Sequence, residues 1–73
     1  STSSLTEIYQ QEKTFDVKRA VLQALFVRGD VRALIEISRR ETDPRLKREA
    51  VQFLAVSGSE EATEYMLELL DEK

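Results

Sequence analysis

The chain contains no cysteine and no histidine among its 73 residues. Disulfide bridges, Cys/His zinc sites and proton transfer by histidine are therefore excluded for this chain. Aromatic residues make up only 7% of the chain. There are also only one proline and two glycines, so each of these three residues is informative about where a helix begins or ends. No apolar run approaches the ~18 residues that a membrane span needs, and the sequence predicts no membrane span.

The composition that is present favours a small, helical, folded domain. Charged residues make up 34% of the chain and hydrophobic residues 41%, a balance typical of globular rather than disordered proteins. A single core in a domain of this size supplies only about 3 to 5 kcal/mol of stability. The chain begins with Ser1 rather than methionine, which we interpret as a sign of a processed or excised segment.

Apolar residues recur at helical spacing near the start of the chain, after a polar lead-in. We expect a first helix to begin at Ser4, whose distance from Glu7 is that of a capping box, and to end near Glu12. Thr14 is expected to cap a second helix, from Phe15 to about Arg28.

Turn residues then mark the next boundaries. Gly29 is expected to adopt a positive φ at the end of the second helix, and Asp30 to cap a third helix from Val31 to about Glu41. Asp43 followed by Pro44 predicts the start of a fourth helix, because proline has no N–H to lose at the first helical position.

A fifth helix completes the chain. Gly58 and Ser59 repeat the Gly29 and Asp30 turn, and Glu60 to about Asp71 then has helical periodicity. The residues expected on the buried sides of the five helices are Leu5, Ile8, Tyr9, Val17, Val21, Leu22, Ala24, Leu25, Val31, Ala33, Leu34, Ile37, Ser38, Leu46, Ala50, Val51, Phe53, Leu54, Ala62, Tyr65, Met66, Leu69 and Leu70.

The chain matches itself when it is shifted by 29 residues. The match includes turn, cap and apolar positions together, whereas unrelated helix pairs would agree only in their apolar positions. The sequence therefore predicts a tandem array of helix pairs. The matching pairs are Lys18 and Lys47, Arg19 and Arg48, Leu25 and Leu54, Val27 and Val56, Gly29 and Gly58, Ala33 and Ala62, Leu5 and Leu34, Glu7 and Glu36, Ile8 and Ile37, and Glu12 and Glu41.

The segments VKRAVLQALFVRGD and LKREAVQFLAVSGS, each followed by an amphipathic helix, resemble HEAT-type repeats of the short bacterial kind. The resemblance covers about Phe15 to Leu70. It implies an all-α fold, a right-handed α-α superhelix of antiparallel helical hairpins with about five helices. Residues 1–73 would form one HEAT-like domain, which we expect to be a piece of a longer array. The 29-residue unit is shorter than commoner repeats of this type.

The resemblance also implies a function, because the second helices of such hairpins line a groove that generally binds other proteins. We therefore expect a protein-interaction scaffold whose partner contacts the exposed positions of these helices. The alternative is a structural or self-associating spacer, with Met66, Leu69 and Leu70 lacking a following repeat. The groove positions are Gln10, Gln11, Arg32, Glu36, Arg39, Arg40, Glu61, Glu64 and Glu68.

Charge is distributed unevenly, with a balance of +5 over residues 13–48 and −6 over residues 49–73. A basic patch could serve nucleic acid, but Glu36 and Asp43 lie among the arginines and the whole chain carries −3. Local i,i+4 pairs, Glu36 with Arg40 and Arg45 with Glu49, explain much of the pattern. We therefore expect a protein partner rather than nucleic acid.

Catalysis has no visible basis in the sequence. Carboxylate pairs such as Glu60 and Glu64 need a cleft that shifts their pKa values, and the pattern indicates an exposed acidic helix face instead. The serines have no histidine to activate them. We expect no enzymatic activity, no metal and no cofactor. Tyr9 and Tyr65 could be interface aromatics, but their apolar stripes favour core packing.

Overall fold

The part of the chain that the structure describes folds into five helices that follow the predicted segments closely. A computed structural model describes the backbone of residues 2–71 and the side chains of residues 4–71; Ser1, Glu72 and Lys73 lie outside this range. The all-helical class is confirmed, and no strand occurs among residues 2–71. None of the described helices has the length and apolar character that crossing a membrane requires. The helices are α1 (Thr2–Gln11), α2 (Phe15–Arg28), α3 (Val31–Arg40), α4 (Pro44–Ser57) and α5 (Glu60–Asp71).

Both glycines end helices in the left-handed conformation, as predicted. Gly29 has φ 76° and Gly58 has φ 67°. Directly after Gly29, the N–H of Asp30 donates to the carbonyl of Leu25 at 3.0 Å. This bond satisfies a carbonyl group of the last turn of α2. A Cβ atom at either glycine would meet nothing within 4 Å. The requirement for glycine is therefore one of backbone conformation and not of space.

Replacing Gly58 by alanine is expected to lower the free energy of unfolding by about 1 kcal/mol, because a side chain disfavours the left-handed conformation. Gly58→Asn should lose less, since asparagine tolerates positive φ. Urea unfolding followed by far-UV circular dichroism measures both. An alanine variant as stable as the parent would show that the turn does not need this conformation.

Two predicted N-caps form as expected. The Asp43 carboxylate accepts a hydrogen bond from the N–H of Arg45 at 2.8 Å, and the Ser59 hydroxyl accepts one from the N–H of Ala62 at 3.0 Å. The Arg45 side chain and backbone N–H lower the pKa of Asp43 below its ordinary value. Each cap satisfies a backbone donor that the first helical turn leaves free.

The predicted capping box at the start of the chain is wrong. α1 already begins at Thr2, so Ser4 lies inside the helix and cannot be its cap. All four residues from Ser1 to Ser4 carry a hydroxyl group, and each is an N-cap candidate by type. The Ser4 to Glu7 spacing therefore did not fix the position at which the helix starts.

The other two predicted caps occupy the N-cap position without capping. The side chains of Thr14 and Asp30 make no capping hydrogen bond, and Asp30 instead accepts from Nε of Arg28 at 3.2 Å. The loops are held by two glutamates one repeat apart. Glu12 accepts from the N–H groups of the two residues that follow it, and Glu41 does the same. These backbone N–H groups lower the pKa of Glu12.

The helices pack in two layers. Among the described residues, each helix contacts the next helix along the chain and the next but one, and no other. α1, α3 and α5 form a three-helix layer, and α2 and α4 form a two-helix layer against it. Arg19 bonds Glu49 at 2.8 Å, and the rings of Phe26 and Phe53 stack at 5.1 Å. The residue nearer the N-terminus of α2 contacts the residue nearer the N-terminus of α4, and the later residue contacts the later one. The two helices therefore run in the same direction.

The core lies between the two layers, where most of the predicted buried positions are found. Val31 is only partly buried, Ile8 is 47% exposed and Val17 is 39% exposed, which contradicts the predicted core places of Ile8 and Val17. Ile8 and Val17 lie on the side of α1 and α2 that no later helix covers. Leu46, the repeat counterpart of Val17, is covered by α2, but no described helix covers Val17. The buried core residues are Tyr9, Val21, Leu22, Leu25, Ala33, Leu34, Ile37, Ser38, Leu46, Ala50, Leu54, Ala62 and Tyr65.

Two predictions about side chains need correction. Met66 and Leu69 pack against the core, so only Leu70 of the predicted unpartnered residues is strongly exposed, at 80%. Arg45 pairs with Asp43 at 3.1 Å and not with Glu49. The reason is that α2 lies beside α4 and its Arg19 engages the Glu49 carboxylate, a contact that helical spacing within α4 cannot reveal.

Candidate binding grooves

The three-helix layer carries two adjoining grooves on its outer side. The α1–α3 groove has a volume of about 530 Å³ and the α3–α5 groove about 450 Å³. The nine positions predicted to contact a partner are all exposed, and each lines at least one groove. The residues that line the α1–α3 groove alone are Gln10, Gln11 and Arg40. Those that line both grooves are Arg32 and Glu36, and those that line the α3–α5 groove alone are Arg39, Glu61, Glu64 and Glu68.

Ion pairs span the α3–α5 groove. Arg32 bonds Glu61 at 2.9 Å, and Arg39 bonds Glu68 at 2.9 Å. Both pairs join residues 29 positions apart, so α3 and α5 run in the same direction in register with the repeat. The Arg39 guanidinium also lies 4.9 Å from the ring centre of Tyr65. All four charged side chains are about half exposed or more, so each pair contributes only about 0 to 1 kcal/mol.

The α1–α3 groove has a different character. Ala33 and Ile37, which are 9% and 1% exposed, line it with apolar side chains. Gln10 stands at the repeat position of Arg39 but carries no charge, and no ion pair among the described residues joins α1 to α3. The predicted pair of Glu36 and Arg40 forms along α3 at 3.8 Å. In the described part of the chain, this groove therefore combines an apolar floor with a polar rim that no ion pair between α1 and α3 closes.

Both tyrosines belong to the core, as their apolar stripes indicated, with 2% exposure each. The Tyr9 hydroxyl donates to the Glu41 carboxylate, and burial together with this neighbour raises the pKa of Tyr9. Lys18 Nζ lies 4.8 Å from the centre of the Tyr9 ring. Tyr65 shares a 2.7 Å hydrogen bond with the buried hydroxyl of Ser38. The tyrosines thus anchor α1 and α5 to the core, and Tyr65 also lines the α3–α5 groove.

Sequence reasoning missed some residues that line the grooves. Thr6 and Glu7 face the α1–α3 groove, and Ile35 faces the α3–α5 groove. A signal for Glu7 was present, because it occupies the repeat position of Glu36, which was predicted to lie in the groove. Thr6 and Ile35 have no such marker.

The sequence indicated an exposed acidic face on α5. Glu60 and Glu64 are both exposed on α5. No group of three or more ligating side chains that could hold a metal ion occurs in the part of the chain that the structure describes. The grooves present apolar side chains, amide groups and paired charges.

A scan against protein-family models finds no match for this chain, and searches of the curated proteins and of the solved structures find none either. The HEAT-like resemblance therefore depends on the residues and on the 29-residue period, and it stays a prediction.

Proposed function

We propose that this chain is a HEAT-like interaction module that binds another protein along the grooves of its three-helix layer. The observation that supports this best is the convergence of the nine predicted positions on two adjoining grooves. They come from three helices that are separate in sequence. A surface assembled from successive repeats is typical of helical-repeat scaffolds.

The repeat part of the proposal is a right-handed superhelix of antiparallel helical hairpins. It is supported by features that recur at 29 residues in the structure as well as in the sequence. Gly29 and Gly58 end α2 and α4 with the same backbone conformation. Glu12 and Glu41 hold the following loops with the same hydrogen bonds.

We assign the principal contact to the α1–α3 groove. Protein interfaces combine an apolar centre with a polar rim, and this groove has Ala33 and Ile37 within a rim of polar side chains. Arg32 and Arg40 balance the acidic groups on the rim, so the groove carries no excess of positive charge for a nucleic-acid backbone. In the α3–α5 groove, by contrast, a partner would have to displace existing ion pairs.

A charge swap tests the assignment without removing an ion pair. The double variant Glu36→Arg with Arg40→Glu keeps opposite charges at i,i+4 but inverts their order in the groove. We expect it to weaken partner binding about tenfold or more, because inverted charges meet like charges on the partner. Affinity capture from a lysate of the source organism, followed by titration of the captured protein, measures the effect.

The matched control is the double variant Arg19→Glu with Glu49→Arg. It swaps a 2.8 Å ion pair between α2 and α4, outside both grooves, and also leaves the net charge unchanged. A partner that binds the parent and this control but not the groove variant supports the proposal. Equal capture by all three chains would contradict it and favour a spacer role. Circular dichroism confirms that each variant is folded.

A further inference from the structure

One end of the molecule exposes apolar positions that are buried elsewhere in the same repeat. Ile8 on α1 is 47% exposed and Val17 on α2 is 39% exposed. Their counterparts 29 residues later, Ile37 and Leu46, are 1% and 3% exposed because they pack on the preceding helices. The side of α1 and α2 that faces away from α3 and α4 therefore exposes apolar positions that the following repeat buries.

The exposed side of α2 is apolar along its whole length. Val17, Ala20, Ala24 and Val27 are separated by three, four and three residues, which places them within an arc of about 80°. No charged residue occurs on this side between Asp16 and Arg28. Val27, at the outer edge of the arc, is 76% exposed. We call the surface formed by Ile8 and these four residues the end face.

The end face is complementary to itself. The intervals between its α2 residues, three, four and three, are the same from either end of the helix. In an antiparallel pair of α2 helices, Val17 of one copy therefore meets Val27 of the other, and Ala20 meets Ala24. The small central residues allow the helix axes to approach to about 8 to 10 Å. In the same register Asp16 of one copy lies level with Arg28 of the other, across the contact, so opposite charges stand at both of its ends.

We propose that the end face binds the same face of a second copy of this chain, with the two α2 helices antiparallel about a twofold axis. A twofold contact brings a surface against itself, and only a self-complementary surface fits. Arg28 already bonds Asp30 through Nε, but a guanidinium has five N–H donors and accommodates a second carboxylate. The end face is separate from the two grooves, which stay open in the dimer.

Sedimentation velocity from about 10 µM to about 1 mM tests the proposal over the range of weak dimers. We expect the mass of the parent chain to rise with concentration from 8.4 kDa toward twice that value. Ala20→Glu places carboxylates at the centre of the contact and should abolish this rise. The variant should fold, because the repeat counterpart of Ala20 in α4 is a glutamate, Glu49. Ala55→Glu, at an exposed alanine of α4, is the control and should dimerise like the parent.

A mixing experiment tests the register. Asp16→Arg alone and Arg28→Asp alone each place like charges at both ends and should raise the dissociation constant about three- to tenfold. An equimolar mixture of these two variants restores both opposite-charge contacts and should associate as the parent does. A parent mass constant at 8.4 kDa, dimerisation of Ala20→Glu, or no gain on mixing would each overturn the proposal.

Discussion

Replacing Leu34 by alanine is expected to lower the free energy of unfolding by about 2 to 5 kcal/mol, the largest effect predicted for this chain. Leu34 is fully buried on α3, the helix that contacts all four others. Truncation removes apolar contacts and leaves a cavity that the surrounding helices cannot fill. Because a domain of this size has only about 3 to 5 kcal/mol from its core, we expect the variant to be largely unfolded at 25 °C.

Urea unfolding followed by circular dichroism checks this, with Val56→Ala as the matched control. Val56 is 73% exposed, so its truncation should change the free energy of unfolding by about 0.5 kcal/mol or less. A loss at Leu34 no larger than the loss at Val56 would mean that the core is not organised around α3.

Ser38→Ala is expected to lower the free energy of unfolding by about 1 to 2 kcal/mol, although alanine is the better helix former. The Ser38 hydroxyl is fully buried and bonds the Tyr65 hydroxyl at 2.7 Å. Without it, the Tyr65 hydroxyl stays buried with no partner. Leaving one buried hydroxyl without a partner costs more free energy than removing both hydroxyls, since the remaining hydroxyl has already been taken out of water.

A double-mutant cycle separates these contributions. Tyr65→Phe removes the other hydroxyl, and the double variant leaves neither group unsatisfied. We therefore expect the double variant to be more stable than the sum of the two single losses predicts, by about 1 kcal/mol. Additive losses from urea unfolding would show that the two hydroxyls act independently.

Most of the fold was predictable because its signals are local. The ends of α2 and α4 follow from Gly29 and Gly58, where backbone conformation restricts the choice of side chain. The start of α4 follows from Asp43 and Pro44 for the same reason. Helical periodicity then placed the nine groove positions on exposed sides, and the 29-residue period placed their helices side by side.

What could not be predicted depends on contacts between helices. Val17 has the spacing of a core residue, but its exposure depends on whether a helix lies beyond it. Glu49 has a suitable partner within its own helix and still pairs with Arg19 on α2. Whether the α1–α3 groove stays open was equally hidden, because it depends on which side chains of α1 and α3 meet across the groove and not only on the helices lying side by side.

The ion pairs across the α3–α5 groove limit how the chain can be lengthened by duplication of its 29-residue units. They place arginine on one repeat unit and glutamate at the same positions of the next. A tandem duplication of residues 15–43 would set Arg32 and Arg39 beside their own copies, and a duplication of residues 44–72 would do the same for Glu61 and Glu68. Either event keeps the two attractions at the original junction and adds two repulsions at the new one. Lengthening by whole units therefore requires compensating charge substitutions, and each unit is matched in charge to its neighbour.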